Sequence, residues 1–168
     1  MSKMHEQKRK AKLAERAKYE SLCFQVWRGR NKLIPGLSDD DLLVKTELEN
    51  IRQTGSTEDI LAIRDIVRGV KSDFGVMPEP DRGTLNGSAV AYLLEITVEN
   101  PFEKGLEHST LAKIEELPLQ ATIYYDNEIR NKVVDWIKNR YPRVTTRFGQ
   151  PILKLSKTVI EIGRVVKS

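Results

Sequence analysis

The chain has 168 residues, 39% hydrophobic and 31% charged, with a net charge of +4 and one cysteine. That size suits one domain with a core of its own, the apolar content excludes wholesale disorder, and a lone thiol excludes an internal disulfide and points to a reducing, cytoplasmic compartment. No apolar run approaches the ~20 residues of a membrane span, and no hydrophobic stretch follows the basic N-terminus as it would in a secretory signal.

The net charge conceals a division. Residues 1–33 carry +7, residues 34–129 carry −11 and residues 130–168 carry +8. Such asymmetry implies a polyanion partner for the ends, or one part of the protein neutralising another.

Residues 3–30 are predicted as one helix of good helix formers. Tyr19, Leu22, Cys23, Val26 and Trp27 fall on helical spacing and should dock, while the first ten residues have nothing to bury. Residues 1–33 are therefore a basic N-terminal helix or tail, with Lys8, Arg9, Lys10, Lys12 and Arg16 as candidate nucleic-acid contacts. Pro35 and Gly36 end it. Ser38 is read as the cap of a second helix with Asp39, Asp40 and Asp41 in its first turn, stopping at Gly55. Ser56 and Asp59 resemble a capping box opening a third helix, whose buried face is Ile60, Ile63, Val67 and Val70 and whose end is Gly75. Residues 34–75 thus form an acidic helical hairpin, and residues 38–72 offer a surface to a basic protein partner.

Residues 76–88, with two prolines and two glycines, are the longest loop. A helix before it, and the glycine spacing, exclude a glycine-rich phosphate loop. The remaining 89–168 read as an α+β region with a basic C-terminal part. AVAYLLEITVEN predicts a strand near 90–98, its first half also readable as helix, and Ser109 or Thr110 caps a short helix at 109–116. LQATIYYD predicts a strand. Asp126 or Asn127 then caps a helix that buries Ile129, Val133, Trp136 and Ile137, with Pro142 beyond its end. RVTTRF and ILKLS are strands around a Gly-Gln-Pro turn. In KTVIEIGRVVKS the spacing of Ile152, Leu155, Val159, Ile162 and Val166 is helical, but β-branched residues and Gly163 favour a last strand. The expected fold is α+β, with N-terminal helices followed by a small sheet and two helices. The C-terminal order, helix then hairpin, is winged-helix-like; the other reading is a β-α-β unit with a basic outer face.

That C-terminal unit carries Arg130, Lys132, Lys138, Arg140, Arg143, Arg147, Lys154 and Lys157, with Tyr141 and Phe148 interleaved. Cations hold phosphates and exposed rings stack on bases, so Lys132, Lys138, Arg140, Arg143, Arg147 and Lys154 complete the set of candidate nucleic-acid contacts. There is no catalytic signature. Glu95, Glu99, Asp126 and Glu128 are the acids a Mg²⁺-dependent nuclease would gather, but capping accounts for Asp126. His108 lies in HSTL without the second copy that a two-histidine phosphoesterase needs. Cys23, His5 and His108 lack metal-ligand spacing, so neither metal nor cofactor is implied. The sequence points to a non-enzymatic nucleic-acid-binding or regulatory protein. The alternatives are an adaptor or inhibitor docking through the acidic hairpin, and a small Mg²⁺-dependent nuclease.

Overall fold

Ser2 opens the first helix, its hydroxyl facing the amide of His5, and α1 runs Lys3–Leu33. The structure is a computed structural model and describes residues 2–80, 82–103, 109, 111–112 and 119–166. Residues 2–18 of this helix stretch are exposed; packing begins at Tyr19, and Leu22 and Val26 are fully buried.

The second helix, α2 (Leu42–Thr54), is capped by Asp41 and not by Ser38: Asp41 Oδ1 accepts the Val44 amide at 3.0 Å. Ser38 instead receives the amide of Asp40, so the aspartates precede the helix and none lies in its first turn. Gly55 ends α2 in the left-handed conformation, φ 67°, as expected, because that backbone costs glycine nothing. The third helix, α3 (Thr57–Phe74), buries Ile60, Ile63, Val67 and Val70 as predicted. The capping box is not formed. Ser56 Oγ pairs with Thr54 Oγ1, and the Asp59 carboxylate accepts the amides of Ser156 and Lys157 from the far end of the chain.

The strand expected near 90–98 is absent, and the first half of that run takes its alternative helical reading, as the short helix α4 (Ala89–Leu93). The reason is Glu47, a fully buried carboxylate on α2. It accepts the amides of Ala89 and Val90 and the hydroxyl of Ser88, while Ser88 Oγ accepts the amide of Ala91. The orphan donors of a helix start thereby find acceptors, and local β-propensity is overridden. Burial pushes the Glu47 pKa up, and these same hydrogen bonds oppose the rise. The helix expected at 109–116 lies mostly outside the described residues, as does Thr110; Ser109 Oγ does accept the amide of Ala112.

The remaining elements follow the predicted order: β1 (Leu119–Asp126), α5 (Asn127–Arg140), β2 (Val144–Arg147), β3 (Gln150–Lys154) and β4 (Thr158–Val165). They make one mixed sheet of order β1-β4-β3-β2, with β1 parallel to β4 and the other pairs antiparallel. The helix-then-hairpin order is present as α5-β2-β3, but β4 and β1 continue the hairpin into a four-stranded sheet. The turn sits one residue earlier than Gly-Gln-Pro. Phe148 and Gly149 form it with φ 49° and 78°, the two-residue, doubly positive geometry that matches strand twist, and Gln150 and Pro151 belong to β3.

Alternation along the strands gives the sheet two faces. Ala121, Ile123, Tyr125, Leu153, Ile160 and Ile162 are buried in one core with the helices. Over them lies α5, whose Val133 and Ile137 are buried and whose Arg130 guanidinium donates to the Ile162 carbonyl. The fold is α+β, helices first and sheet last. Among the described residues no helix is long and apolar enough to cross a membrane.

Candidate nucleic-acid interface

The opposite face of the sheet forms a trough of about 420 Å³. Strand alternation places its lining: Gln120 and Thr122 from β1, Val159 and Glu161 from β4, Gln150 and Ile152 from β3. Thr84, from the loop before α4, closes one side. Its amide donates to the Thr122 carbonyl at 3.1 Å, and its hydroxyl accepts the Thr122 amide at 2.9 Å. Glu79 likewise donates its amide to the Tyr124 carbonyl, so this loop covers the outer edge of β1.

The far end of the trough is the β2–β3 turn. Phe148 is 95% exposed there, in the left-handed region that bulky residues avoid. Arg147 lies beside it, its guanidinium carbon 6.0 Å from the ring centroid. Inside, Gln150 Oε1 is buried with no hydrogen-bond partner among the described residues. The arrangement combines an apolar floor, amide and hydroxyl groups, an exposed ring and a cation. These are the groups that stacking on a base, bonding to its edges and holding a neighbouring phosphate require.

The lining of the trough is poor in metal ligands. Two-metal phosphoryl transfer needs several carboxylates around the ions, and among the described residues Glu161 is the one acid lining the trough. Among the described residues no three His, Cys, Asp or Glu side chains are grouped to hold a metal. The acids singled out from the sequence lie apart in role. Glu95 pairs with Lys32, Glu99 accepts the Asn86 amide, Asp126 caps α5, and Glu128 lies in its first turn. His5 is exposed on α1 beside Ser2, and His108 is outside the described residues. Cys23 is half-buried, and burial raises its pKa.

The expected basic contacts do not converge on one surface. Lys8, Arg9, Lys10, Lys12 and Arg16 are all exposed on α1, with Arg16 paired to Glu20. Lys12 and Arg16 line a separate groove of about 480 Å³ against the α2–α3 junction. Lys132 and Lys138 are exposed on α5 and Lys154 at the end of β3. Arg140 is engaged, pairing with Asp73 and lying over the Trp136 ring at 3.8 Å. Arg143 and Arg147 are exposed, and of the set only Arg147 lines the trough. Tyr141 is half-buried against the core, and Arg130 is buried. The uncharged lining residues Thr84, Gln120, Thr122 and Gln150 escaped the sequence reading; strand alternation around 119–126 was the one signal for them.

Over residues 8–165 the chain matches the family described as Bacterial DNA polymerase III alpha NTPase domain. It is similar to the DNA polymerase III subunit alpha of Saccharopolyspora erythraea, 31% identical over 101 residues, 60% of this chain and 8% of that protein. The DNA polymerase III subunit alpha of Aquifex aeolicus is 24% identical over 123 residues, 71% of this chain and 10% of that one. An error-prone DNA polymerase of Ruegeria pomeroyi is 29% identical over 127 residues, 74% of this chain and 11% of that protein. The chain thus spans about a tenth of the length of these relatives. The match corrects the reading of a non-enzymatic nucleic-acid-binding or regulatory protein, because the similarity is to a piece of a DNA polymerase. Charge asymmetry is a property of many unrelated folds, and it carried that reading too far.

Proposed function

Because the chain belongs to the family of the bacterial DNA polymerase III alpha NTPase domain, we propose that it is a DNA-engaging domain of polymerase type, which receives a DNA strand in the trough of its sheet. The observation that carries this reading is the β2–β3 tip. An almost fully exposed phenylalanine is held at positive φ next to Arg147, above a floor with an unpartnered amide oxygen. Backbone strain of this kind collects at functional sites.

In this reading Phe148 stacks on a base and Arg147 holds the adjoining phosphate. Gln120, Thr122 and Gln150 bond base edges, and Glu161 accepts from an exocyclic amino group. Arg143 and Lys154 attract the backbone. The exposed cations of α1 and α5 add sequence-independent affinity, which falls with salt. A cytoplasmic location goes with this role. Nucleotide transfer by the whole relatives involves a length of chain ten times greater, and no transfer step is assigned to the trough.

Fluorescence anisotropy with labelled single-stranded and primer–template DNA tests the proposal. Losing one stacked base costs about 1–3 kcal/mol, so Phe148→Ala should raise Kd about 5- to 100-fold. Arg147→Ala should also lower the salt slope by about 0.7–0.9. Folded variants that bind like the parent at every salt concentration would overturn the assignment.

A further inference from the structure

On the helical side of the molecule, away from the sheet, α1 and α3 enclose a small pocket of about 150 Å³ with the end of α4. Among the described residues four cations line it, the exposed Arg28 and Lys32 from α1 and the half-buried Arg64 and exposed Arg68 from α3, against one carboxylate, Glu95. Each pair is four residues apart on its helix and so shares a face. Gly29 fixes the wall: a Cβ there would stand 2.8 Å from the Leu93 carbonyl carbon, so only glycine lets α1 lie this close to α4.

The cations are under-compensated. Lys32 Nζ bonds Glu95 Oε1 at 2.8 Å. Arg64 is half-buried, and among the described residues its ion pair is a long one, to Asp65 at 3.7 Å. The side chains of Arg28 and Arg68 form no ion pair or hydrogen bond among the described residues. Burial lowers the Arg64 pKa, Arg68 and Arg28 push it the same way, and the carboxylates of Asp65 and Glu95 oppose them. Glu95 is itself held at φ 61°, an unfavourable backbone for a glutamate, with its carboxylate among Lys32, Lys71 and Arg68.

Gathering like charges costs free energy unless an anion completes the group. The pocket is smaller than the ~300–1,000 Å³ that hold whole ligands, which suits a phosphate group and not a complete nucleotide. Arginine pairs bind phosphate oxygens through two parallel N–H donors. We propose that this pocket binds one phosphate of a DNA strand, a second contact separate from the trough, with Arg28 and Arg68 as principal donors and Glu95 limiting the affinity. The proposal shares with the preceding reading the premise that DNA is the partner.

The test is anisotropy with labelled single-stranded DNA, on the full chain, with two variants that should move in opposite directions. Arg28→Ala with Arg68→Ala should weaken binding about tenfold at low salt and flatten the salt slope by about 0.7 for the phosphate released. Glu95→Gln, which keeps shape and removes charge, should tighten binding several-fold. Arg147→Ala serves as the trough control. Loss of affinity in Arg147→Ala with none in the arginine pair, or no gain in Glu95→Gln, would remove the pocket and leave the trough standing. A parent protein that binds no DNA would remove both. Competition with inorganic pyrophosphate and ATP distinguishes the source: displacement of DNA by millimolar ATP or pyrophosphate in the parent, abolished in the arginine pair, would overturn the strand assignment in favour of a free phosphate.

Discussion

Gly29→Ala sets two effects against each other. In an exposed helix interior the exchange stabilises by about 1 kcal/mol. Here the added Cβ would stand 2.8 Å from the Leu93 carbonyl carbon and 3.3 Å from its Cα, with the carbonyl oxygen nearer still. That obstacle is backbone, and the start of α4 is pinned by Glu47. The helices must separate, opening a contact in which Leu22, Val26 and Leu93 are all buried. Overpacking costs about 1–3 kcal/mol; the contact at 29 falls at the upper end, leaving a net loss of about 1–2 kcal/mol after the propensity gain. Gly69 in α3 provides the comparison. A Cβ there would meet the Trp136 ring at 2.5 Å, but that obstacle is a half-buried side chain and not backbone, although Arg140 lies over the ring and Asp73 accepts from its Nε1. Gly69→Ala should therefore change stability by about 1 kcal/mol or less. Urea melts followed by far-UV circular dichroism measure both; thermal melts should show Gly29→Ala lowered by about 2–8 °C. Gly29→Ala at or above parental stability, or Gly69→Ala the more damaging, would refute the reasoning.

Removing the Glu47 carboxylate leaves two amides and a hydroxyl at the head of α4 buried without an acceptor. Each orphaned buried group costs about 1–3 kcal/mol, so Glu47→Ala should cost about 3 kcal/mol or more, and a urea-melt difference below about 1 kcal/mol would contradict its anchoring role. Phe148→Gly discards a side chain that packs against little and relieves an αL residue, so it should leave stability unchanged or raise it by about 1 kcal/mol while weakening DNA binding; a clear loss of stability in the melts would mean that the ring is docked. Glu95 is held below the usual carboxylate range chiefly by Lys32. Its stabilising contribution is therefore present above its unfolded pKa of about 4.3 and lost as pH falls through the lower folded value. The stability difference between parent and Glu95→Gln should be level at neutral pH and shrink in acid, and a difference that widens on acidification would contradict the ion pair.

Local chemistry made much of this fold legible. Gly55 and Gly75 stop α2 and α3 where left-handed residues were needed, and the apolar spacing of Ile60, Ile63, Val67 and Val70 named the buried face of α3. The β-branched content of 158–165 outweighed its helical spacing, correctly. Long-range partners were illegible. No rule of sequence says that Glu47 will convert residues 89–93 from strand to helix, or that Asp59 will desert a capping box for the amides of Ser156 and Lys157. The trough suffered likewise, because Gln120, Thr122 and Gln150 are ordinary polar residues until the strand order brings them together. The charge counts pointed to the ends of the chain. The cations that line the pocket between α1 and α3 instead include Arg64 and Arg68, inside the stretch that is acidic on average.

The position of β4 governs how the sheet comes into being. The last strand in sequence is second in space, between β1 and β3, and Leu119 finds its partner only at Thr158. During synthesis β1 emerges and stays unpaired on that side while α5, β2 and β3 are made. The β2–β3 hairpin has just two strands until then, too few for independent stability. Neither part is a stable sheet alone, so residues 158–165 act as a keystone, and completion is a single late event. A nascent or clipped chain without them exposes two hydrogen-bonding edges beside an uncovered apolar face, the condition in which strands recruit other chains. Intermolecular association should therefore compete with folding at that one step.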